Sequence, residues 1–466
     1  MAKTINVYTT SSGVILNSND SMYVRSGGMA SQTIVSSGGR MWVYMGGSAQ
    51  ETSIKLGGQV SIKSGTAHST YMSGGSMLVG HLGSANSTTV TADGVIDVYS
   101  AGASATLTAL LARGSMLVSS GAAVMSTTIN RNGYMWIYSG GTANSTVQLN
   151  SGYMYISRGG LANDTTASGY IDVYSGGTAN RTTVKISGSV IVNSGAKAVS
   201  TTLAGGDLSI RSGGTANSAV IYNGNMYVRD SGVANFVCVS GGNLNVYLGG
   251  TAALTAVSGG VMDIYTGGSA NRTSIFSGGK MFLSSRTSGT DTIVSRGGSM
   301  FVAGGRCNLT TVYYNGLMRI YSGGTGIQTV VSGGLMDVYD NGKADHTRVC
   351  SLGKMYLSSG AVAGVTTAFH SGGVYVSANA QAFSNTLSGG FMRVYANGSA
   401  SDTTISSGGK MFVSSGGRVN KTVVLSSGRM EIWGGARRPR TKCGSAAPCP
   451  SVPAARRYRT PYRAAR

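Results

Sequence analysis

Proline is absent from the first 435 residues of this 466-residue chain; all five prolines (Pro439, Pro448, Pro450, Pro453 and Pro461) stand in the closing stretch. A proline-free body suits an uninterrupted hydrogen-bonded ladder, because proline removes a backbone donor. Charge is scarce too: 11% of residues are Asp, Glu, Lys or Arg, against 41% hydrophobic. That balance excludes a charge-rich disordered chain. Nowhere do 18 apolar residues run together, so no transmembrane helix is expected. The opening MAKTINVY enters a strand-like pattern at once, without a basic start or an apolar run, and no signal peptide is read there. Cysteine is sparse: Cys238, Cys307 and Cys350 are scattered through the body without CxxC or CxxxC spacing, and Cys443 and Cys449 lie in the tail. This odd, dispersed set implies neither a disulfide framework nor a zinc site, and the three body cysteines read as small buried apolar residues.

What is present is glycine, 73 residues of it, roughly twice the usual share of about 7%. Glycine every few residues argues against long helices, at about 1 kcal/mol for each in a helix interior. Ser, Thr, Val, Tyr and Met dominate the remainder, the composition of short strands joined by tight turns. The formal charge of +21 is unevenly placed. Arg437, Arg438, Arg440, Lys442, Arg456, Arg457, Arg459, Arg463 and Arg466 crowd the end, with no acid among them. Two domains are expected: a repeat body over residues 1–435, and an irregular, disordered Arg/Pro-rich tail over 436–466. The tail reads as a frameshifted or junction-derived end, with a polyanion-binding basic tail as the other reading.

The body repeats. Met22-Tyr-Val, Met41-Trp-Val, Met135-Trp-Ile, Ile171-Asp-Val, Met281-Phe-Leu and Met411-Phe-Val belong to about two dozen such triplets, spaced by roughly 17–20 residues. Each unit approximates S-G-G-x-M-x-V-Y-S-G-G-T-A-N-x-T-x-V-x. Period-two alternation turns Met and Val one way and the residue between them the other. A second short strand follows, as in Thr146-Val147 and Thr183-Val184, and Gly-Gly sits at the corners, where positive φ and close backbone approach are tolerated. Two short strands and two corners would make one coil, and only stacking buries its Met/Val face. The expected fold is all-β: a single-stranded β-helix, or β-solenoid, of about two dozen short coils. A propeller is excluded because its blades need about 40–45 residues.

With SGGKMFVSSGGRV (407–419) and SGGLMDVYDNGKA (332–344) as its clearest copies, the repeat resembles the passenger repeats of AIDA-type autotransporter adhesins over roughly residues 5–435. The resemblance implies an outer-membrane-anchored, cell-surface or secreted passenger without enzymatic activity, mediating adhesion, autoaggregation or biofilm contacts. It also implies partners: host-cell or bacterial surface glycans and proteins, a second rod, and a cytoplasmic glycosyltransferase that places heptose on serines. Because an export signal and a translocator barrel are not read in the chain, it is expected to be a passenger fragment or a degenerate member.

Catalytic chemistry is hard to find. His68, His81, His346 and His370 occupy unrelated positions. Asp97, Asp172, Asp263 and Asp337 share the outward M-x-V position but lie four or five coils apart. At about 4.8 Å per coil that is roughly 20 Å, beyond the ~5–9.5 Å of a glycosidase carboxylate pair. They read as solvated ladder positions. A β-helical polysaccharide-degrading enzyme or phage tailspike-like protein is the alternative function, and it would require clustered acids and bases. An ice-binding solenoid is disfavoured because Thr182-Thr183, Thr201-Thr202 and Thr403-Thr404 are adjacent pairs, so one of each points inward. No catalytic residue, cofactor, metal or specific nucleic-acid partner is expected.

Outward aromatics are the candidate contact face: Tyr23, Trp42, Trp136, Tyr155, Tyr227, Phe282, Phe301, Tyr356, Tyr375 and Phe412. Tyr44, Tyr99, Tyr138, Tyr174, Tyr247, Tyr265, Tyr321, Tyr339 and Tyr395 follow the same strands on the same side. Stacking along the ladder accounts for them structurally; a sticky strip for sugars or a second rod is the functional reading. Asn86, Asn144, Asn163, Asn180, Asn217, Asn235 and Asn271 are expected to bond amide to amide up the corners. Ser139, Ser175, Ser212 and Ser322 are the candidate glycan acceptors, with bonding to local turn backbone as the rival account.

Overall fold

The computed structural model describes residues 2–434 and the short strand Thr441–Cys443. That strand pairs in parallel with Thr422–Val424; the rest of the basic tail expected at 436–466 lies outside the described residues. The chain divides into two compact units, Met1–Ala253 and Leu254–Arg466. Each is a parallel β-solenoid, and no helix is assigned among the described residues.

Some coils have the two strands expected, such as Lys280–Leu283 followed by Ser288–Val294, while others have three. In the first unit, Tyr134–Ile137 (β1), Thr142–Asn144 (β2) and Val147–Gln148 (β3) form one coil, and each pairs in parallel with its counterpart a turn later, Tyr153–Ile156 (β4), Leu161–Asn163 (β5) and Thr166–Ala167 (β6). Whereas in Ser269–Ile275 the equivalent segment continues into the next strand, in these coils the T-A-N segment is a strand of its own. It is three residues long with one small apolar side chain, so period-two reading had nothing to register.

The β1 row buries alternate residues as expected. Met116, Met135, Met154 and Ile171 stand in register and all are fully buried. In the second unit Met281, Met300, Met318 and Met336 form the same column, also fully buried. Each such side chain contributes about 1.5–3 kcal/mol on leaving water. The β2 row opposes them with alanine: Ala143, Ala162 and Ala179 are buried. Where glycine replaces alanine at Gly289, an added Cβ would lie 3.7 Å from Met281 Cε. Long side chains from one face therefore reach across the core to small ones on another, as close packing requires. Of each Thr-Thr pair the first points inward: Thr182, Thr201 and Thr403 are buried, so no flat threonine face forms.

Gly-Gly at the first corner answers two separate demands. Gly140 and Gly176 have φ of 76° and 77°, a left-handed conformation costly for residues with Cβ. Gly141 and Gly177 do not. There an added Cβ would come 2.3 Å from Val118 O and 2.5 Å from Ile156 O, so the second glycine is kept by the close approach of the neighbouring coil.

Coil length varies mostly at the third corner, where the chain returns to the β1 row. Five residues separate Gln148 from Met154, but three separate Ala167 from Ile171. The fully buried Gln148 bridges the mismatch, its Nε2 donating to Gly152 O at 2.7 Å and to Tyr170 O at 2.6 Å.

Candidate functional site

Placing the aromatic positions on parallel strands in register brings some of them into ring contact and leaves others apart. In the first unit, Tyr23 stacks on Trp42 with centroids 4.9 Å apart and planes at 8°. Arg25 covers Tyr23 and Tyr44 at 5.4 and 4.7 Å. Tyr227 and Tyr247 stack at 6.5 Å beneath Arg229. In the second unit Phe282 meets Phe301 at 4.7 Å, Tyr321 meets Tyr339 at 5.3 Å and Tyr356 meets Tyr375 at 4.4 Å. Phe412 has Arg393 against it at 5.5 Å. Along both units the rings form separate patches, because residues such as Leu117, Ile191 and Ser209 take the same position on intervening coils.

The broadest patch lies in the first unit at residues 134–174. Trp136 stacks on Tyr155 at 5.7 Å, and Tyr155 on Tyr174 at 6.3 Å. A parallel column stands beside it: Tyr134 meets Tyr153 at 5.1 Å and Trp136 at 5.4 Å, and Tyr153 meets Tyr170 at 6.3 Å. Sequence reasoning passed over Tyr134, Tyr153 and Tyr170. They precede the inward Met or Ile, a position also held by Ser115 and Ser189, yet the same alternation that places Trp136 outside places them outside too.

Asp172 closes this patch. Its carboxylate accepts hydrogen bonds from Tyr170 Oη at 3.2 Å and from Asn193 Nδ2, and only 8% of the residue is exposed. The expected solvated position is therefore a buried one, because large rings and an amide from adjacent strands cover it. Tyr170 is pushed up to about 12 by burial and by the neighbouring Asp172 charge, and burial raises Tyr155 and Tyr174. Asp97 and Asp263 are likewise raised by burial, while Asp337 pairs with Arg319 at 3.4 Å. Among the described residues no group of three or more His, Cys, Asp and Glu could hold a metal. Cys307 and Cys350 are buried, with the Cys307 thiol raised to about 12 by burial, and Cys238 is half-buried.

The second corner carries the amide ladder. Asn163 Nδ2 donates to Asn144 Oδ1 at 2.9 Å, and Asn180 to Asn163 at 3.0 Å; Asn235 donates to Asn217 at 3.2 Å. Asn86 and Asn271 instead accept from the hydroxyls of Thr106 and Thr290. At the first corner Ser139, Ser175, Ser212 and Ser322 are exposed. None of their hydroxyls hydrogen-bonds among the described residues, so the turn backbone does not engage them.

Residues 369–428 match a family model described as "Adhesin of bacterial autotransporter system, probable stalk". Over those residues the chain is similar to autotransporter-adhesin stalk repeats. No curated protein sequence matches it. Among solved structures, the chain is similar to the TibC-catalysed hyper-glycosylated TibA55-350 fragment, at 23% identity over 89% of this chain and 99% of that one, with a TM-score of 0.28. It is also similar to the PL6 family alginate lyase AlyGC, at 9% identity over 97% of this chain and 96% of that one, TM-score 0.18. A third similarity is to PfbA, a surface adhesin of Streptococcus pneumoniae, at 9% identity over 68% and 83%, TM-score 0.13. No helix among the described residues is long and apolar enough to cross a membrane.

Proposed function

We propose that this stalk is a non-enzymatic cell-surface protein that mediates adhesion, autoaggregation or biofilm contacts through its aromatic patches. The observation carrying this reading is the patch at Tyr134–Tyr174, where stacked rings stand exposed or half-exposed on a ladder fixed by backbone hydrogen bonds. Tyrosine and tryptophan supply apolar area and a polar tip with few rotors to freeze, the qualities of a contact surface. Its partners are surface glycans or proteins, or a second copy. The unengaged hydroxyls of Ser139, Ser175, Ser212 and Ser322 offer a glycosyltransferase four acceptors of similar geometry.

Cells displaying the chain are expected to sediment faster than cells displaying W136S/Y155S/Y174S at matched surface density. Equal sedimentation would remove the aromatic patch from the contact surface. Mass spectrometry of chain isolated from cells expressing an autotransporter heptosyltransferase should find sugar on the four serines; unmodified serines there would sink the acceptor assignment.

A further inference from the structure

Within the second unit a concavity of about 570 Å³ opens beside the third corner. It arises from a change in chain length and a missing side chain. Ser332 pairs with Cys350 and Leu335 with Lys354, so the corner Gly333–Gly334 has one residue fewer than the corner Ser351–Leu352–Gly353. Farther along, Gly373 stands in register between Lys354 and Phe391. The Phe391 ring lies against it: a Cβ built on Gly373 would come 2.5 Å from Phe391 Cζ. Phe391 also meets Tyr375 edge-on at 5.5 Å.

Tyr314, Tyr356 and Phe391 line this concavity together with Lys354, and Ser351 and Ser371 add hydroxyls. No aspartate or glutamate lines it, and Lys354 makes no ion pair among the described residues. The nearest acid in register, Asp337 beside Tyr356, is already engaged by Arg319. The result is an aromatic-walled hollow with one uncompensated cation and several hydroxyls. Its volume lies within the roughly 300–1,000 Å³ of small-molecule sites.

We propose that this hollow is a subsite for an acidic pyranose, a sugar unit bearing a carboxylate. Lys354 would donate charge-assisted hydrogen bonds to the carboxylate, the C–H face of the ring would lie on an aromatic wall, and the serines would meet ring hydroxyls. A cation finds no counter-charge here, and a purely apolar ligand would strip water from Lys354 without compensation. The subsite deepens the reading of the stalk as a contact protein and rests on it.

The full chain can be titrated by calorimetry with a glucuronate-containing oligosaccharide and with its carboxyl-reduced, neutral counterpart. The native chain should bind the acidic form at least about tenfold more tightly, the order expected for one charge-assisted contact. K354M should lose that preference. K280M removes an equal charge from an exposed lysine of the same row outside the hollow, and should keep it. Lys354 is exposed, so K354M should melt like the native chain. Equal binding of both oligosaccharides, equal behaviour of the two variants, or no binding of the acidic form would overturn the subsite. Aggregation of displaying cells depends on W136S/Y155S/Y174S instead, so the two readings fail separately.

Discussion

The Ser139 hydroxyl sits directly over Gly159 of the following coil: a Cβ built there would lie 2.9 Å from Ser139 Oγ. At the adjacent Gly160 the obstacle is main chain, with Ile137 O at 2.4 Å. A hydroxyl can rotate away and a ladder carbonyl cannot. Gly159→Ala, whose cost comes mainly from φ of 73°, is expected to destabilise by about 1–2 kcal/mol. Gly160→Ala should cost more, because the ladder must open to admit it. Denaturant midpoints of the two variants give the order, and a reversed order would refute the division of labour between the paired glycines.

Met281→Asp places a carboxylate in a fully buried column, at a cost of several kcal/mol. Hydrogen exchange should show the coils around residue 281 opening first. Unchanged protection there would contradict the inward assignment.

Gln148→Leu keeps volume but removes two buried hydrogen bonds, to Gly152 O and Tyr170 O, and should destabilise by about 1–2 kcal/mol. The buried Thr165 hydroxyl has no partner among the described residues, so Thr165→Val is expected to be neutral or stabilising. Thermal melts of both variants test the contrast between a buried amide that donates two hydrogen bonds and a buried hydroxyl that makes none.

Tyr170 is raised from 10.0 to about 12. The folded state thus favours the protonated phenol. The corresponding stability is fully present below pH 10 and is lost as pH rises through about 12. Tyr170→Phe should flatten the stability profile between those values. A native profile already flat there would exclude the shift.

Much of this architecture is legible in the letters. The M-x-V triplets declare their own inward and outward sides because alternation is local, and Met281 and Trp136 lie where that rule puts them. The T-A-N strand is less visible, since a lone small alanine between polar residues has no periodicity. Burial of Asp172 depends on Tyr170 and Asn193, the latter 21 residues away, and so becomes evident only once register is known. The hollow around Lys354 is harder still. It depends on one corner being a residue shorter than its neighbour, which in linear sequence looks like ordinary drift between repeats.

The third corner, where Gln148 meets the shortened return at Tyr170, also bears on how such a chain can change. Insertions and deletions there leave the pairing of the β1 row in phase, so errors in copying repetitive DNA can be retained without unravelling the fold. New recesses and ridges then arise from length changes alone, before any side chain has been selected for binding. Surface diversity in this solenoid has a route that bypasses its core.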